Sequence, residues 1–425
     1  MKHRKITALT AALTMIVSAA SVMPVHAGAA NYAADKQAKG TTAQIEKYLV
    51  LDKTATVPEA AFNFSIAAGE AVPYDGSETI AAYAGPDADQ IVISEAVFTS
   101  TDTTVDGTAD DGIANSTEKK YVKRDVSLDF TKVTFPEPGV YRYIITEEGA
   151  GDTDNLGAGI SHAGNYRKTM DVYVTDDDNG VLSVAAYILY NSVIETAPEL
   201  AEAVVAMDEK VDRTADDDAK TDGFVNEYLS QDLTFAKKVS GNQGSKDKYF
   251  KFTVTIANAD GANLTIDTNA SSFENEPTKN NATVYTADDM KNANSIDEDA
   301  DVDGQQLAIT GESKEYTFYL QNGQYITLLG LPKGASYTVT EEAEEYTSKA
   351  SDAESFTAGS FTVDAAVSGT VEDEDIRTGF TNDKSGLIPT GILLSVAAPA
   401  CIGIAVLGGI VFLLIKGRKR RTEED

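Results

Sequence analysis

The 425-residue sequence holds one cysteine, Cys401, no tryptophan, and three histidines, His3, His26 and His162. A lone thiol cannot close an internal disulfide, and the shortage of both residue types excludes His-Cys zinc sites and leaves little for acid-base enzymology. Positive charge is also scarce: 35 Lys and Arg stand against 67 Asp and Glu, a formal net charge of −32. A surface so acidic repels nucleic acid and anionic lipid, so no DNA or RNA partner is expected. The simplest role for this acidity is solubility. Long amphipathic helical stretches are missing apart from a short one around Pro198 to Met207, and long apolar runs are confined to the two ends.

Those ends carry addresses. Met1-Lys2-His3-Arg4-Lys5 precedes an uncharged stretch from Ile6 to Met23 and then Val25-His26-Ala27. A positive start, an apolar middle and small residues at the cut are what a signal peptidase reads, so residues 1–27 are expected to be a signal peptide and Gly28 the new N-terminus. The alternative is an anchoring helix that is never cut. At the other end Leu387-Ile388-Pro389-Thr390-Gly391 is followed by an apolar run from Ile392 to Ile415 and the basic cluster Lys416 to Arg421. The run is long enough to span a bilayer, with its basic end held on the cytoplasmic side. Pro-Thr-Gly, apolar span and basic tail together resemble a sortase signal over residues 385–425. The resemblance implies cleavage between Thr390 and Gly391 and transfer of the Thr390 carbonyl to an amine. The departure is Ile388 directly before Pro389, a variant similar to the signals of pilin-polymerising sortases.

Removing both ends leaves Gly28 to Thr390, with 27 basic against 64 acidic residues, or −37. Cys401 is discarded with the apolar run. The exported chain then lacks disulfides in a setting where they could persist, so any covalent reinforcement must be of another kind.

After a polar leader at 28–41, the chain alternates apolar and polar residues over short runs, the period of a strand. Examples are Phe62-Asn63-Phe64-Ser65-Ile66, Val126 to Phe130, Tyr141 to Ile145, Val172-Tyr173-Val174 and Leu182 to Leu189. A second set follows at Phe250 to Val254, Tyr316 to Leu320, Tyr337-Thr338-Val339 and Phe361-Thr362-Val363. Asp178-Asn179-Gly180 is a hairpin signal. The expected fold is all-β, two tandem sandwiches at 42–229 and 230–384.

Both sets repeat one order of motifs. A strand opens each with a lysine among apolar neighbours, Ile45-x-Lys47-x-Leu49-x-Leu51 and Phe235-x-Lys237-x-Val239. A later strand ends on a glutamate, Tyr141-x-Tyr143-x-Ile145-x-Glu147 and Tyr337-x-Val339-x-Glu341. Each set closes on Phe224-Val225-Asn226 or Phe380-Thr381-Asn382. Because strand side chains alternate, Lys47, Lys237, Glu147 and Glu341 share a face with apolar residues and point inward. Burial lowers the pKa of a lysine and raises that of a nearby carboxyl. A neutral amine beside a protonated carboxyl is primed to attack a carboxamide, with the acid polarising the carbonyl and moving protons as ammonia leaves. The product is a Lys-Asn isopeptide bond that closes nearly a whole domain as one loop. The bland alternative is a strand lysine in an ordinary ion pair at the rim.

Lys-x-Leu or Lys-x-Val at the start, Gly139 to Glu147 or Leu331 to Glu341 in the middle and Phe-x-Asn at the end resemble the streptococcal-type pilin isopeptide-linkage domain, over roughly Gln44 to Asn382. Gly159-Ile160 and the strand through Val174 fit the same pattern. The family often carries Tyr-Asp after its Gly-Ile, where this chain has His162-Ala163. The resemblance implies immunoglobulin-like sandwiches in the shaft of a sortase-assembled pilus, with bonds from Lys47 to Asn226 through Glu147 and from Lys237 to Asn382 through Glu341. The partners it implies are sortase, identical subunits and cell-wall peptidoglycan, with minor pilins and host surface ligands as further candidates. It also implies an acceptor lysine near the end of the first domain. Lys220, six residues before Asn226, is the nearest match, and Lys210 is the alternative.

No cofactor or metal is expected. Asp299-x-Asp301-x-Asp303-Gly304 imitates the start of a calcium loop, but Thr310 stands where a bidentate glutamate is needed. The acidic insertions Asp102 to Asp111 and Asp208 to Asp218 carry no legible role, and no glycosidase pair can be singled out among so many acids. The expected function is structural rather than enzymatic, in the cell wall or pilus after transient membrane anchoring. The rival is a wall-anchored adhesin, monomeric or at a pilus tip.

Overall fold

The computed structural model describes residues 41–76, 79–149, 156–176, 181–198, 220–267, 303–352 and 366–386. The signal peptide, most of the leader, Lys210, the second acidic insertion, Phe361 to Val363 and the sorting signal from Leu387 onward lie outside these residues. Among the described residues the regular elements are strands and one short 3-10 turn, Ala88–Gln90.

Strands gather around two large buried cores, one drawing on residues from Ala43 to Tyr228 and the other from Leu233 to Phe380. In the first sheet pair one sheet runs Ile160–His162, Gly223–Tyr228, Thr42–Asp52, Lys119–Asp129, Val92–Ile93. The sheet facing it runs Leu182–Leu189, Arg167–Asp176, Gly139–Glu147, Phe64–Ala68. In the second pair one sheet runs Gln306–Ala308, Asn263–Asp267, Tyr325–Pro332, Ser230–Ser240, Ile376–Asp383, Thr347–Asp352, and the other Ser313–Leu320, Phe250–Ala257, Ser336–Glu341, Ala366–Thr370. In each pair the opening strand lies beside the closing strand and parallel to it, amid otherwise antiparallel neighbours. That pairing is non-local, and it holds the two ends of each stretch in the middle of a sheet.

Alternation puts Ile45, Lys47, Leu49 and Leu51 on the inner face, where all are buried. The sequence reading of one continuous strand from Phe62 to Ile66 needs correction. The run breaks at Asn63: Ala60–Phe62 pairs with Ala96–Phe98, whereas Phe64–Ala68 joins Gly139–Glu147. The Asn63 carbonyl meanwhile accepts the Glu148 N–H at 2.8 Å, so the chain changes partner there.

The first acidic insertion organises its own loop. Asp102 accepts the Thr99 N–H at 3.0 Å and pairs with Arg124. Asp111 accepts four backbone N–H groups, from Thr108, Ile113, Ala114 and Asn115. Burial acts to raise its carboxyl pKa, but those bonds outweigh burial and hold it below the usual range.

Hydrogen bonds also join the two sheet pairs. The Tyr228 hydroxyl donates to the Gly330 carbonyl at 3.0 Å, and the Glu59 N–H donates to the Gly261 carbonyl at 2.8 Å. Gly159 sits at φ +71, where a Cβ would stand 2.6 Å from the Leu229 carbonyl oxygen. That explains a glycine at this corner.

Candidate functional site: two buried lysine clusters

The six residues singled out by the repeated motif form two clusters. Lys47 and Asn226 come from adjacent parallel strands, in a register that sets Lys47 opposite Phe224 and Leu49 opposite Asn226. Lys237 stands opposite Phe380 and Val239 opposite Asn382, the same offset. Glu147 and Glu341 arrive from the facing sheets. Lys47, Glu147, Asn226, Lys237, Glu341 and Asn382 are all buried.

One carboxylate oxygen serves both partners each time. Lys47 Nζ lies 2.8 Å from Glu147 Oε1, and Asn226 Nδ2 donates to that same atom at 3.1 Å. In the second cluster Lys237 Nζ lies 2.5 Å from Glu341 Oε1, to which Asn382 Nδ2 donates at 2.9 Å. A phenylalanine covers each amine, with Lys47 Nζ 4.4 Å from the Phe62 ring centroid and Lys237 Nζ 4.3 Å from that of Phe250. Sequence reasoning missed both rings, although Phe-x-Phe recurs at Phe62-Asn63-Phe64 and Phe250-Lys251-Phe252.

Burial among these rings pushes each lysine down from 10.5 to about 8, against the opposing pull of Glu147 or Glu341. The ion pairs therefore recover only part of the cost of taking two charges out of water, a cost of several kcal/mol per ion. Polar capacity is also left unused. The carbonyl oxygens of Asn226 and Asn382 are buried without a hydrogen-bond partner among the described residues. Buried orphans of this kind are uncommon in folded proteins and mark strained or reactive sites.

The second glutamate oxygen distinguishes the clusters. Ser348 Oγ donates to Glu341 Oε2 at 3.0 Å. In the first cluster His162 Nδ1 stands 3.1 Å from Glu147 Oε2, at ion-pair distance but outside hydrogen-bond geometry. Nothing in the sequence motif signalled Ser348.

Gly223 fixes the register of the asparagine strand. A Cβ there would lie 1.6 Å from the Glu46 carbonyl oxygen, so only glycine lets the parallel strands approach this closely. The closing motif is therefore longer than Phe-x-Asn, reading Gly-Phe-x-Asn at 223–226 and again at 379–382.

On the reverse face of the glutamate strand, Arg142 grips Asp171 with two buried hydrogen bonds of 2.8 and 2.7 Å and donates to the carbonyls of Ile194 and Thr196. Lys220 forms an isolated bridge with Tyr190 and is partly buried rather than fully in solvent. No group of three or more His, Cys, Asp or Glu suited to a metal occurs among the described residues.

Residues 43–229 match the Spy0128-like isopeptide containing domain, and residues 231–384 match a domain of unknown function, DUF7601. A curated protein named pilin, from Streptococcus pyogenes serotype M1, is 29% identical over 302 residues, spanning 69% of this chain and 72% of its own. Among solved structures, the major pilin from Streptococcus pyogenes aligns at 22% identity and TM-score 0.46, over 82% of this chain and 100% of its own. The T3.2 major pilin of the same species aligns at 19% identity and TM-score 0.44, over 82% of this chain and 99% of its own. Over residues 43–229 the chain thus carries a Spy0128-like isopeptide containing domain, and along 302 residues it is similar to a streptococcal pilin.

Proposed function

We propose that the chain is a structural subunit of a covalently polymerised surface pilus, held together internally by two Lys-Asn isopeptide bonds. The observation that carries this reading is the duplication: two buried amines, each sharing one glutamate oxygen with a carboxamide, at the same strand register.

Proton transfer from Lys47 to Glu147 turns a buried ion pair into a neutral amine and a carboxylic acid. A half-turn of the Asn226 amide then sets its orphaned carbonyl oxygen against that acid. The amine attacks Asn226 Cγ, the acid steadies the developing oxyanion, and the glutamate passes the amine's proton to the departing nitrogen. One C–N bond forms and one breaks, ammonia leaves, and Glu147 ends as the neutral acid holding the proton it took from Lys47. Lys237, Glu341 and Asn382 repeat the chemistry. The product removes a buried charge and replaces a missing disulfide, which gives the reaction a thermodynamic direction.

In this reading 42–229 and 230–384 are two immunoglobulin-like sandwiches that stack as shaft modules. The signal peptide directs export, sortase cuts between Thr390 and Gly391, and the Thr390 carbonyl passes to a lysine of the next subunit or to peptidoglycan. The acidic surface keeps the displayed fibre soluble. Immunoblotting of wall fractions, with and without the sortase, tests the assembly. A shaft subunit gives a ladder that heating in detergent does not dissolve and that vanishes without the enzyme. A single band in both strains would instead support a monomeric adhesin.

A further inference from the structure

The two clusters differ in one chemically meaningful respect, the group beside the second glutamate oxygen. We propose that His162 is a positioning residue that makes the first isopeptide bond, and not the second, sensitive to acid. The inference rests on the cross-linking reading above, and the second cluster serves as its internal control.

The ring is held against the carboxylate from two sides. His162 pairs across the sheet with Asn226, the residue that would be joined to Lys47. Its ring lies 5.6 Å from that of Tyr166, whose carbonyl accepts the Glu147 N–H at 2.9 Å. The imidazole is therefore fixed to both the glutamate and the asparagine strands, with Nδ1 3.1 Å from Oε2. Its Nε2 is buried and has no hydrogen-bond partner among the described residues.

The other titratable groups around the ring are few. Glu147 faces it from the opposing sheet, with Lys47 beyond at 2.8 Å from Oε1, and the Tyr166 phenol belongs to the neighbouring tilted ring. Lys168 enters the same core over Phe224 and donates to Asn191. Glu227, next to Asn226, pairs with Lys119 and alternates to the other face of its sheet. Glu147 is thus the one carboxylate these contacts bring against the imidazole.

A neutral imidazole leaves Glu147 free to take the lysine proton, which the attack requires. A protonated imidazole adds a positive charge 3.1 Å from Oε2 and holds the glutamate ionised, so the lysine keeps its proton and the amine stays unreactive. Imidazole is the side chain whose ordinary titration falls between pH 5 and 8. The Ser348 hydroxyl, which occupies the corresponding place in the second cluster, carries no charge at any of these values.

The test follows both bonds in one molecule. The full chain is synthesised in a cell-free system, collected into urea before the bonds form, and diluted into buffers at pH 5.5, 6.5 and 7.5. Timed samples are digested with trypsin, and the Lys47-Asn226 and Lys237-Asn382 linked peptides are measured by mass. The first bond is expected to form at least about threefold more slowly at pH 5.5 than at 7.5, since a charged imidazole 3.1 Å from Oε2 opposes transfer of the lysine proton. The second should change little. His162→Ser should bring the first profile onto the second, and Ser348→His should give the second bond an acid limb. Coincident profiles in the unaltered chain, or an acid limb that survives in His162→Ser, would overturn the proposal while leaving the cross-links standing. Absence of both linked peptides at every pH would overturn the cross-linking reading as well.

Discussion

Glu147 and Asn226 meet across the first core with Asn226 Nδ2 3.1 Å from Oε1, although 79 positions separate them in the chain. The same atoms of Asn382 and Glu341 meet at 2.9 Å. Each contact joins opposite sheets, and each has a buried lysine on the same oxygen.

If these contacts are reactive, the span from Gly28 to Thr390 loses two molecules of ammonia. Glu147→Ala and Glu341→Ala should each restore one and lower the melting temperature. Loss of a cross-link closing so long a loop is worth about 5 kcal/mol in the chain-entropy picture. Intact mass and calorimetry decide it, and a mass shifted by the substitution alone, with no ammonia regained, would show that the glutamate has no part in the bond.

The pH dependence has a definite sign. The reactive state holds one proton between lysine and glutamate, and that proton is lost as pH rises through about 8. Formation of the Lys237-Asn382 bond should therefore be steady from pH 7 to about 8 and slow above it. A rate still climbing at higher pH would mean that the amine alone suffices. In Asn382→Ala, which cannot cross-link, the lysine titrates at 10.5 when unfolded and about 8 when folded. The unfolded chain binds the extra proton between those values, so stability should rise with pH across that window.

The rings over the amines should set the speed. Phe62→Leu removes the aromatic face 4.4 Å from Lys47 Nζ and admits solvent, moving the lysine back towards 10.5. The first bond should then form several-fold more slowly while the second is unaffected, as read by timed peptide mapping. Equal rates would reduce Phe62 to ordinary packing.

Gly223→Ala tests the register directly. Its Cβ would fall 1.6 Å from the Glu46 carbonyl oxygen, so the asparagine strand must move away and carry Asn226 with it. The expected outcome is a folded second sheet pair with its bond and a first pair without one. An intact first bond at the usual rate would mean that the strands tolerate the shift.

Polymerisation tests the remaining assignment. Lys220→Ala expressed with the native sortase should collapse the ladder to monomer while both intramolecular bonds persist, if Lys220 is the acceptor. Its bridge to Tyr190 and partial burial demand that the segment open to the enzyme. An undiminished ladder would remove Lys220 and turn attention to Lys210.

The sequence by itself determined the all-β character, because an alternating pattern without helical periodicity permits little else. It also determined which lysines and glutamates turn inward, since Lys47 shares a face with Ile45 and Leu49, and Glu147 with Tyr143 and Ile145. The repetition made the asparagines legible too. The break at Asn63 was not, because alternation continues through it and only the competing partners Ala96–Phe98 and Gly139–Glu147 divide the run. Tertiary structure alone decided what touches what. The parallel register that brings Asn226 to Lys47 depends on the backbone approach at Gly223, and the rings of Phe62 and Phe250 reach the amines from other strands. His162 and Ser348 come to equivalent glutamate oxygens from unrelated positions in the motif order. Such pairings are set by the packing of two sheets across a shared core, and periodicity along one strand carries no information about them.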